Sequence, residues 1–287
     1  MLAVVGTVPD QGFPLAAGKV TLKGDRIYIQ GHGITVNRGT PALLAAAIKT
    51  AKTLGGPEPF GYLIGDIGLG DGSRLLYEYL TRHIKEHDFG TIAFHYVQPD
   101  VDWHNRVLLA VKEMTRRPVL IADAGFMYAA KMSGMASEYD LFAPDVGELA
   151  FLADENAPHP FYTRGFIMHE ENRVPDMIAR AYSHKNASRF LLVKGKEDYL
   201  ADKVGIRATI KNPAEETMEA IGGTGDIVTG IAAALISADW EIDKAAAFSA
   251  WANRLAGHYS KPTPATQVIE IIDHIPWALA ELFLGKK

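Results

Sequence analysis

No cysteine occurs among the 287 residues, which removes disulfides, thiolate-bound zinc, iron–sulfur clusters and a cysteine nucleophile together. A basic block is missing too. Lys and Arg number 29 against 34 Asp and Glu, a formal net charge of −5, so nothing in the chain is built to follow a phosphate backbone and nucleic acid is not an expected partner. No apolar run approaches the roughly 20 residues that a membrane helix needs. Met1-Leu2-Ala3-Val4-Val5 lacks the basic start of a signal peptide and reaches Pro9-Asp10 within a few residues. A cytoplasmic protein without membrane contact is the expectation. Three common site motifs also fail on spacing. The dinucleotide fingerprint, started from Gly68 and Gly70, needs a third glycine where Ser73 stands. A Walker loop ending at Gly195-Lys196 needs glycine at Phe190 and a hydroxyl at Glu197. No Gly-x-Ser-x-Gly elbow is present for a hydrolase.

What the chain has is apolar material for a core. Hydrophobic residues make up 48% and charged residues 22%, and an α/β architecture with a large sheet can hold residues 1–287 as one domain. Leu2–Val8 alternates as a strand, and Lys19–Lys23 and Arg26–Gln30 read as a hairpin across Gly24-Asp25. Ala42–Ile48 is rich in helix formers and Gly55-Gly56-Pro57 stops it. Strand and helix then alternate: Gly61–Gly65 and Ser73–His87, Thr91–Val97 and Trp103–Thr115, then Pro118–Ile121 ending in Asp123-Ala124-Gly125. Leu141–Ala143 reads as a strand and Asp145–Ala153 as a helix. Further helices are expected at Pro175–His184, Lys244–His258 and Trp277–Phe283, with strands at Arg189–Val193, Asp198–Ala201 and Val204–Ile210. Short apolar strands separated by amphipathic helices make crossover units and a mostly parallel sheet. Glu155–Glu171 is irregular enough to be a lid, and its Pro158–Met168 part, with the apolar C-terminal helix, offers surfaces for a homo-oligomer. His83 and His87 stand four apart on a helix, but Lys85, Glu86 and Asp88 around them make a solvated face.

The sharpest local motif is Gly222-Gly223-Thr224-Gly225-Asp226, opening an apolar helix through Ile236. Glycines before a buried helix let the backbone turn tightly, so that unpaired N–H groups converge where the helix dipole favours an anion. Asp226 beside such a hole repels phosphate but suits a base for a hydroxyl that attacks phosphorus. The plainer alternative is a helix cap. Pro144-Asp145-Val146-Gly147-Glu148 sets two carboxylates three apart at a strand-to-helix junction, a capping box when taken alone. Lys194-Gly195 ends a strand with a cation and a flexible residue, and Gly65–Gly72 follows a strand and precedes a helix.

The order of these segments resembles the ribokinase-like superfamily, and within it the ATP/ADP-dependent NAD(P)H-hydrate dehydratases. The Gly65–Gly70 loop is similar to their Gly-Pro-Gly-Leu-Gly, Ala122-Asp123-Ala124 to an Asp-Ala-Asp strand end, and Ala143–Glu148 to Thr-Pro-His-Pro-Gly-Glu. Lys194-Gly195 and Gly223–Gly230 resemble the Lys-Gly strand end and Gly-Thr-Gly-Asp-x-Leu-x-Gly, and Arg38–Leu43 a Gly-Ala-Pro-Tyr-Leu helix start. Asp145 and Val146 depart from the family's His-Pro. The resemblance implies a ribokinase-like three-layer sandwich with a central, mostly parallel sheet. ATP or ADP would lie against Lys194, Gly195, Gly223, Thr224 and Gly225, with Asp226 catalytic. Thr40, Gly68, Asp123 and Asp145 would contact substrate, and Glu148 would hold Mg2+ through water. The implied reaction is dehydration of hydrated NAD(P)H through phosphorylation of its ring hydroxyl. A kinase for a sugar or vitamin alcohol and a non-catalytic nucleotide sensor are the alternatives.

Overall fold

The computed structural model describes residues 1–156 and 174–285. In chain order its strands are β1 (Leu2–Val8), β2 (Ala16–Lys23), β3 (Arg26–Ile29), β4 (His32–Thr35), β5 (Phe60–Gly65), β6 (Thr91–His95), β7 (Val119–Ala122), β8 (Leu141–Phe142), β9 (Phe190–Val193), β10 (Asp198–Asp202) and β11 (Gly205–Ile210). They form one sheet in the order β11-β10-β9-β8-β7-β6-β1-β5-β2-β3-β4. The six central strands, β9 to β5, run parallel, and antiparallel strands extend both edges. All six therefore present their carboxyl ends on one side, where ligands of open α/β sheets bind.

Helices cover both faces. On one face lie α1 (Thr40–Thr53), α7 (Thr224–Ser237), α8 (Ile242–Ser260), α9 (Val268–Ile272) and α10 (Ile275–Leu284), which share a core with Val4, Val8 and Ala93 of the sheet. On the other lie α2 (Asp71–His83), α3 (Val101–Lys112), α4 (Ala124–Met132), α5 (Val146–Ala153) and α6 (Val174–Ser183), packed on Ala3, Val5, Ile92 and Phe94. Successive strand residues point to opposite faces, so neighbours in β1 and β6 feed different cores. This is the expected three-layer sandwich.

Several expected boundaries shift, and one shift matters for the site. The strand expected over Thr91–Val97 stops at His95, because Tyr96 takes a left-handed φ of +48°. The helix expected over Ser73–His87 ends at His83 and passes into a short 3-10 turn, Ile84–Glu86. His83 there meets Glu86 at 2.8 Å and His87 packs its ring on Phe60, and no group of three metal-ligating side chains occurs among the described residues. The expected lid at Glu155–Glu171 falls outside the described residues beyond Asn156, as does the Pro158–Met168 surface. No described helix is long and apolar enough to cross a membrane.

Candidate active site

The N-terminus of α7 opens at the carboxyl edge of the sheet, and two glycines put it there. Gly223 precedes the helix at φ +99°, a conformation that glycine adopts freely. A Cβ on Gly230 would stand 2.3 Å from the Leu43 carbonyl oxygen, so only glycine lets α7 lie directly on the backbone of α1. No side chain caps α7. The Thr224 hydroxyl instead turns back to donate to the carbonyls of Met218 and Ile221, both at 3.3 Å, and the first amides of the helix stay open.

Asp226, in the first turn of α7, is not a cap. Its Oδ1 lies 3.0 Å from Nε2 of His95, and its Oδ2 accepts the Gly39 amide at 2.6 Å. Burial pushes this carboxyl up, but the His95 hydrogen bond and charge, Lys194 and the Gly39 amide together hold it below the usual carboxylate range. His95 is fully buried at the end of β6, and its other nitrogen, Nδ1, lies 3.1 Å from the Thr40 hydroxyl at the start of α1. The carboxylate requires a proton on Nε2, so in the neutral ring Nδ1 accepts from Thr40. A chain Thr40–His95–Asp226 thus fixes an ionised carboxylate beside an open helix terminus.

Three more elements complete the floor. Asp123 caps α4 with one oxygen, accepting the Ala124 amide at 2.8 Å. Its other oxygen receives Lys194 Nζ at 2.7 Å and the Thr229 hydroxyl at 2.5 Å. Burial pushes the Lys194 ammonium down, but Asp123, Glu148 and Asp226 more than reverse this and hold it above the usual lysine range. Lys194 lies across Gly225, whose Cβ position is 3.7 Å from its stem. Behind it the Gly195 amide donates to Asp198, and Arg254 of α8 clamps the loop by bonding Asp198 and the carbonyls of Gly195, Lys196 and Lys211.

The open cleft above this floor measures about 850 Å³, within the range of small-molecule sites. Nine carboxylates line it against Lys194, Lys196 and Arg254. Asp145 and Glu148 form the capping box of α5, each side chain accepting the other's amide at 2.7 and 2.8 Å. Burial, with Asp145 and Asp123 beside it, raises the Glu148 carboxyl well above its usual range. Such crowding suits a divalent cation that arrives with phosphates and keeps much of its water, because no all-protein cage of three ligands exists among the described residues. Tyr96 stands at the β6 end of the cleft.

Asp123, Asp145, Glu148, Lys194, Gly195, Gly223, Thr224, Gly225 and Asp226 therefore line one cleft, though they span more than a hundred residues of sequence. Thr40 and Gly68 stand outside it. Thr40 is buried behind His95, and Gly68 belongs to the β5 loop, where its amide donates to Asp66. His95 and Arg254 belong to no motif, and Thr229 fills an unspecified position of the Gly223–Gly230 motif. A single histidine closing the apolar strand Thr91–His95 was the one trace of the Asp226 partner.

A family model for NAD(P)H-hydrate dehydratase matches residues 98–276, which takes in the Asp123, Asp145, Lys194 and Asp226 segments and begins downstream of Gly65–Gly70. An uncharacterized protein of Methanocaldococcus jannaschii is 41% identical over 238 residues, 83% of this chain and 98% of that one. The bifunctional NAD(P)H-hydrate repair enzyme of Pyrobaculum aerophilum is 25% identical over 256 residues, 82% of this chain and 46% of its own length, so the chain spans a little under half of that enzyme. Among solved structures, the ADP/ATP-dependent NAD(P)H-hydrate dehydratase of Bacillus subtilis, co-crystallized with ATP and Mg2+ and soaked with CoA, superposes with a TM-score of 0.59 at 13% identity. That match covers 98% of this chain and 90% of the other. At that identity the likeness establishes the ribokinase-like fold.

Proposed function

This chain belongs to the NAD(P)H-hydrate dehydratase family, and from that premise we propose that its cleft couples a nucleotide, ATP or ADP, to the dehydration of hydrated NAD(P)H. The observation that carries the proposal is the Asp226 carboxylate, held ionised by His95 and Gly39 at the open start of α7. The terminal phosphate would meet the Gly223–Gly225 amides, with Lys194 and Gly195 on the nucleotide side. Thr40 would act on the substrate only through His95.

The ring hydroxyl would bond to the terminal phosphorus as the bond from phosphorus to the nucleotide's bridging oxygen breaks. Asp226 takes the hydroxyl proton. Its depressed pKa makes it a weak base in the resting site, so transfer is expected late, once the forming P–O bond has made the hydroxyl acidic. The electron pair of the ring nitrogen then expels inorganic phosphate, and the neighbouring carbon loses a proton to restore the dihydronicotinamide. Glu148 would hold a magnesium ion through water, and such an ion would supply neutralisation of phosphate charge.

A second reading is favoured by Asp145, whose side chain caps α5 where the family has histidine. In that case the same residues phosphorylate another alcohol and stop. The discriminating experiment incubates pure protein with Mg2+ and hydrated NADH, with and without ATP or ADP. Return of dihydronicotinamide absorbance only with nucleotide supports the dehydratase. Phosphoryl transfer to a sugar or vitamin alcohol, with the hydrate untouched, replaces it with the kinase.

A further inference from the structure

Tyr96 combines two properties that seldom occur together. Its φ of +48° is a conformation that bulky side chains rarely adopt. Packing does not account for it, since the residue is 51% exposed. Its orientation is nevertheless fixed. The Thr7 hydroxyl donates to the Tyr96 carbonyl at 2.5 Å, and the His95 ring meets the Tyr96 ring edge-on with centroids 4.4 Å apart. The ring also lies 3.7 Å from the Cβ position of Gly39, the residue whose amide holds Asp226. An aromatic ring is thus kept in the cleft beside the carboxylate, on the β6 side, with the Lys194–Gly195 loop that follows β9 across from it. The phenol hydroxyl makes no hydrogen bond to any described residue. Partial burial and the neighbouring carboxylates of Asp226, Glu148 and Asp123 hold it above the usual tyrosine range, so it remains a proton donor.

Resting on the function proposed above, we propose that Tyr96 is the platform for the acceptor substrate, packing its face on a six-membered ring that is puckered in the hydrate and nearly flat in the dihydropyridine product, and donating its hydroxyl to a carbonyl oxygen at that ring's edge. On this assignment the dihydropyridine ring and its carboxamide occupy the β6 side, the nucleotide occupies the β9 side, and Asp226 lies between them. The left-handed backbone is what turns the ring into the cleft. An extended residue at position 96 would continue β6 and send its side chain elsewhere.

NADH, the product of the proposed reaction, is the probe. Its binding is read from its own fluorescence in the presence of saturating ADP and Mg2+, so that its adenosine half cannot occupy the nucleotide side. Tyr96→Gly should weaken NADH binding tenfold or more while ADP affinity stays within about twofold. Its melting temperature should be unchanged or raised, because glycine accepts φ +48° freely. Tyr96→Phe keeps the stack, loses the donor and should fall between. Wild-type NADH binding in Tyr96→Gly, a parallel loss of ADP affinity, or no NADH binding by the wild-type protein each overturns the assignment. Turnover separates this from the broader reading. Tyr96-dependent NADH binding without dehydration of hydrated NADH upholds the ring site and removes the dehydratase. Nucleotide-dependent dehydration with NADH binding indifferent to Tyr96→Gly does the reverse.

Discussion

Asp226 shares its two oxygens between donors 131 and 187 residues away, and that division determines what its replacement does. Asparagine at this position can accept the Gly39 amide with its carbonyl and donate its amide to His95, whose proton moves to Nδ1 and is then given to Thr40. The fold survives and the proton acceptor is gone. Asp226→Asn is therefore expected to lose about a hundredfold or more in kcat, with ADP affinity flat or improved and the melting temperature little changed. Equal turnover in steady-state assays would leave Asp226 a structural residue. The sequence exposed Asp226 and its glycines because they are adjacent. It could not expose His95, nor that Thr40, implied by the resemblance as a substrate contact, instead sits behind that histidine, because these roles exist only once β6, α1 and α7 meet. A second histidine, His104, is buried away from the lining of the cleft. His104 has its Nε2 2.8 Å from the Tyr139 hydroxyl, and burial lowers its pKa to about 4. The unfolded chain takes up this proton near pH 6.5 and the folded chain does not, so stability is full above about 6.5 and is lost as pH falls through about 4. The loss amounts to roughly 3 kcal/mol. Denaturant titrations across that window should slope with pH in the wild type, and the His104→Gln protein should lack this share of the slope.

At the scale of elements, periodicity revealed the parallel core and turn chemistry revealed the hairpin of β2 and β3, because each depends on neighbours in sequence. Helix α4 went unforeseen. It starts at Ala124, just after its cap Asp123, with glycine as its second residue, which reads as a turn; yet Gly125 is required there because a Cβ would stand 2.3 Å from the Val97 carbonyl oxygen. Strand β4 is only four residues long, too short for alternation to register. The link between β9 and β10 shows how one side chain can hold an element that has little regular structure of its own. Arg254 bonds the carbonyls of Gly195 and Lys196 and the Asp198 carboxylate there, and the Lys211 carbonyl just past β11, in a largely buried setting. Removing one partner of a buried pair strands the other, at about 3–5 kcal/mol. Arg254→Met should lower the melting temperature by on the order of 5–10 °C and weaken ADP binding about tenfold, since Gly195 loses its support. Unaltered values in both thermal shift and calorimetry would show that the clamp is dispensable.

The whole molecule is a sheet whose carboxyl edge carries an acidic cleft, and two of its properties lie beyond any single element. One is assembly. Trp277 on α10 is 66% exposed and Leu284 at the helix end 71%, an apolar surface that a second copy could cover. Light scattering at micromolar concentration is expected to give a mass above that of one 31.3 kDa chain, and a monomer mass would refute self-association. The other is the division of the cleft, with cation and glycine-rich loop at the β9 end, aromatic ring at the β6 end and Asp226 between. With the proposed dehydratase function, that division predicts phosphoryl transfer followed by elimination, which a count of products tests. Protein supplied with ATP, Mg2+ and hydrated NADH should release one inorganic phosphate for each dihydronicotinamide restored, with no phosphorylated product persisting at the end of the reaction. Consumption of ATP with a stable phosphorylated product, or restoration of the dihydronicotinamide without loss of ATP, would contradict it.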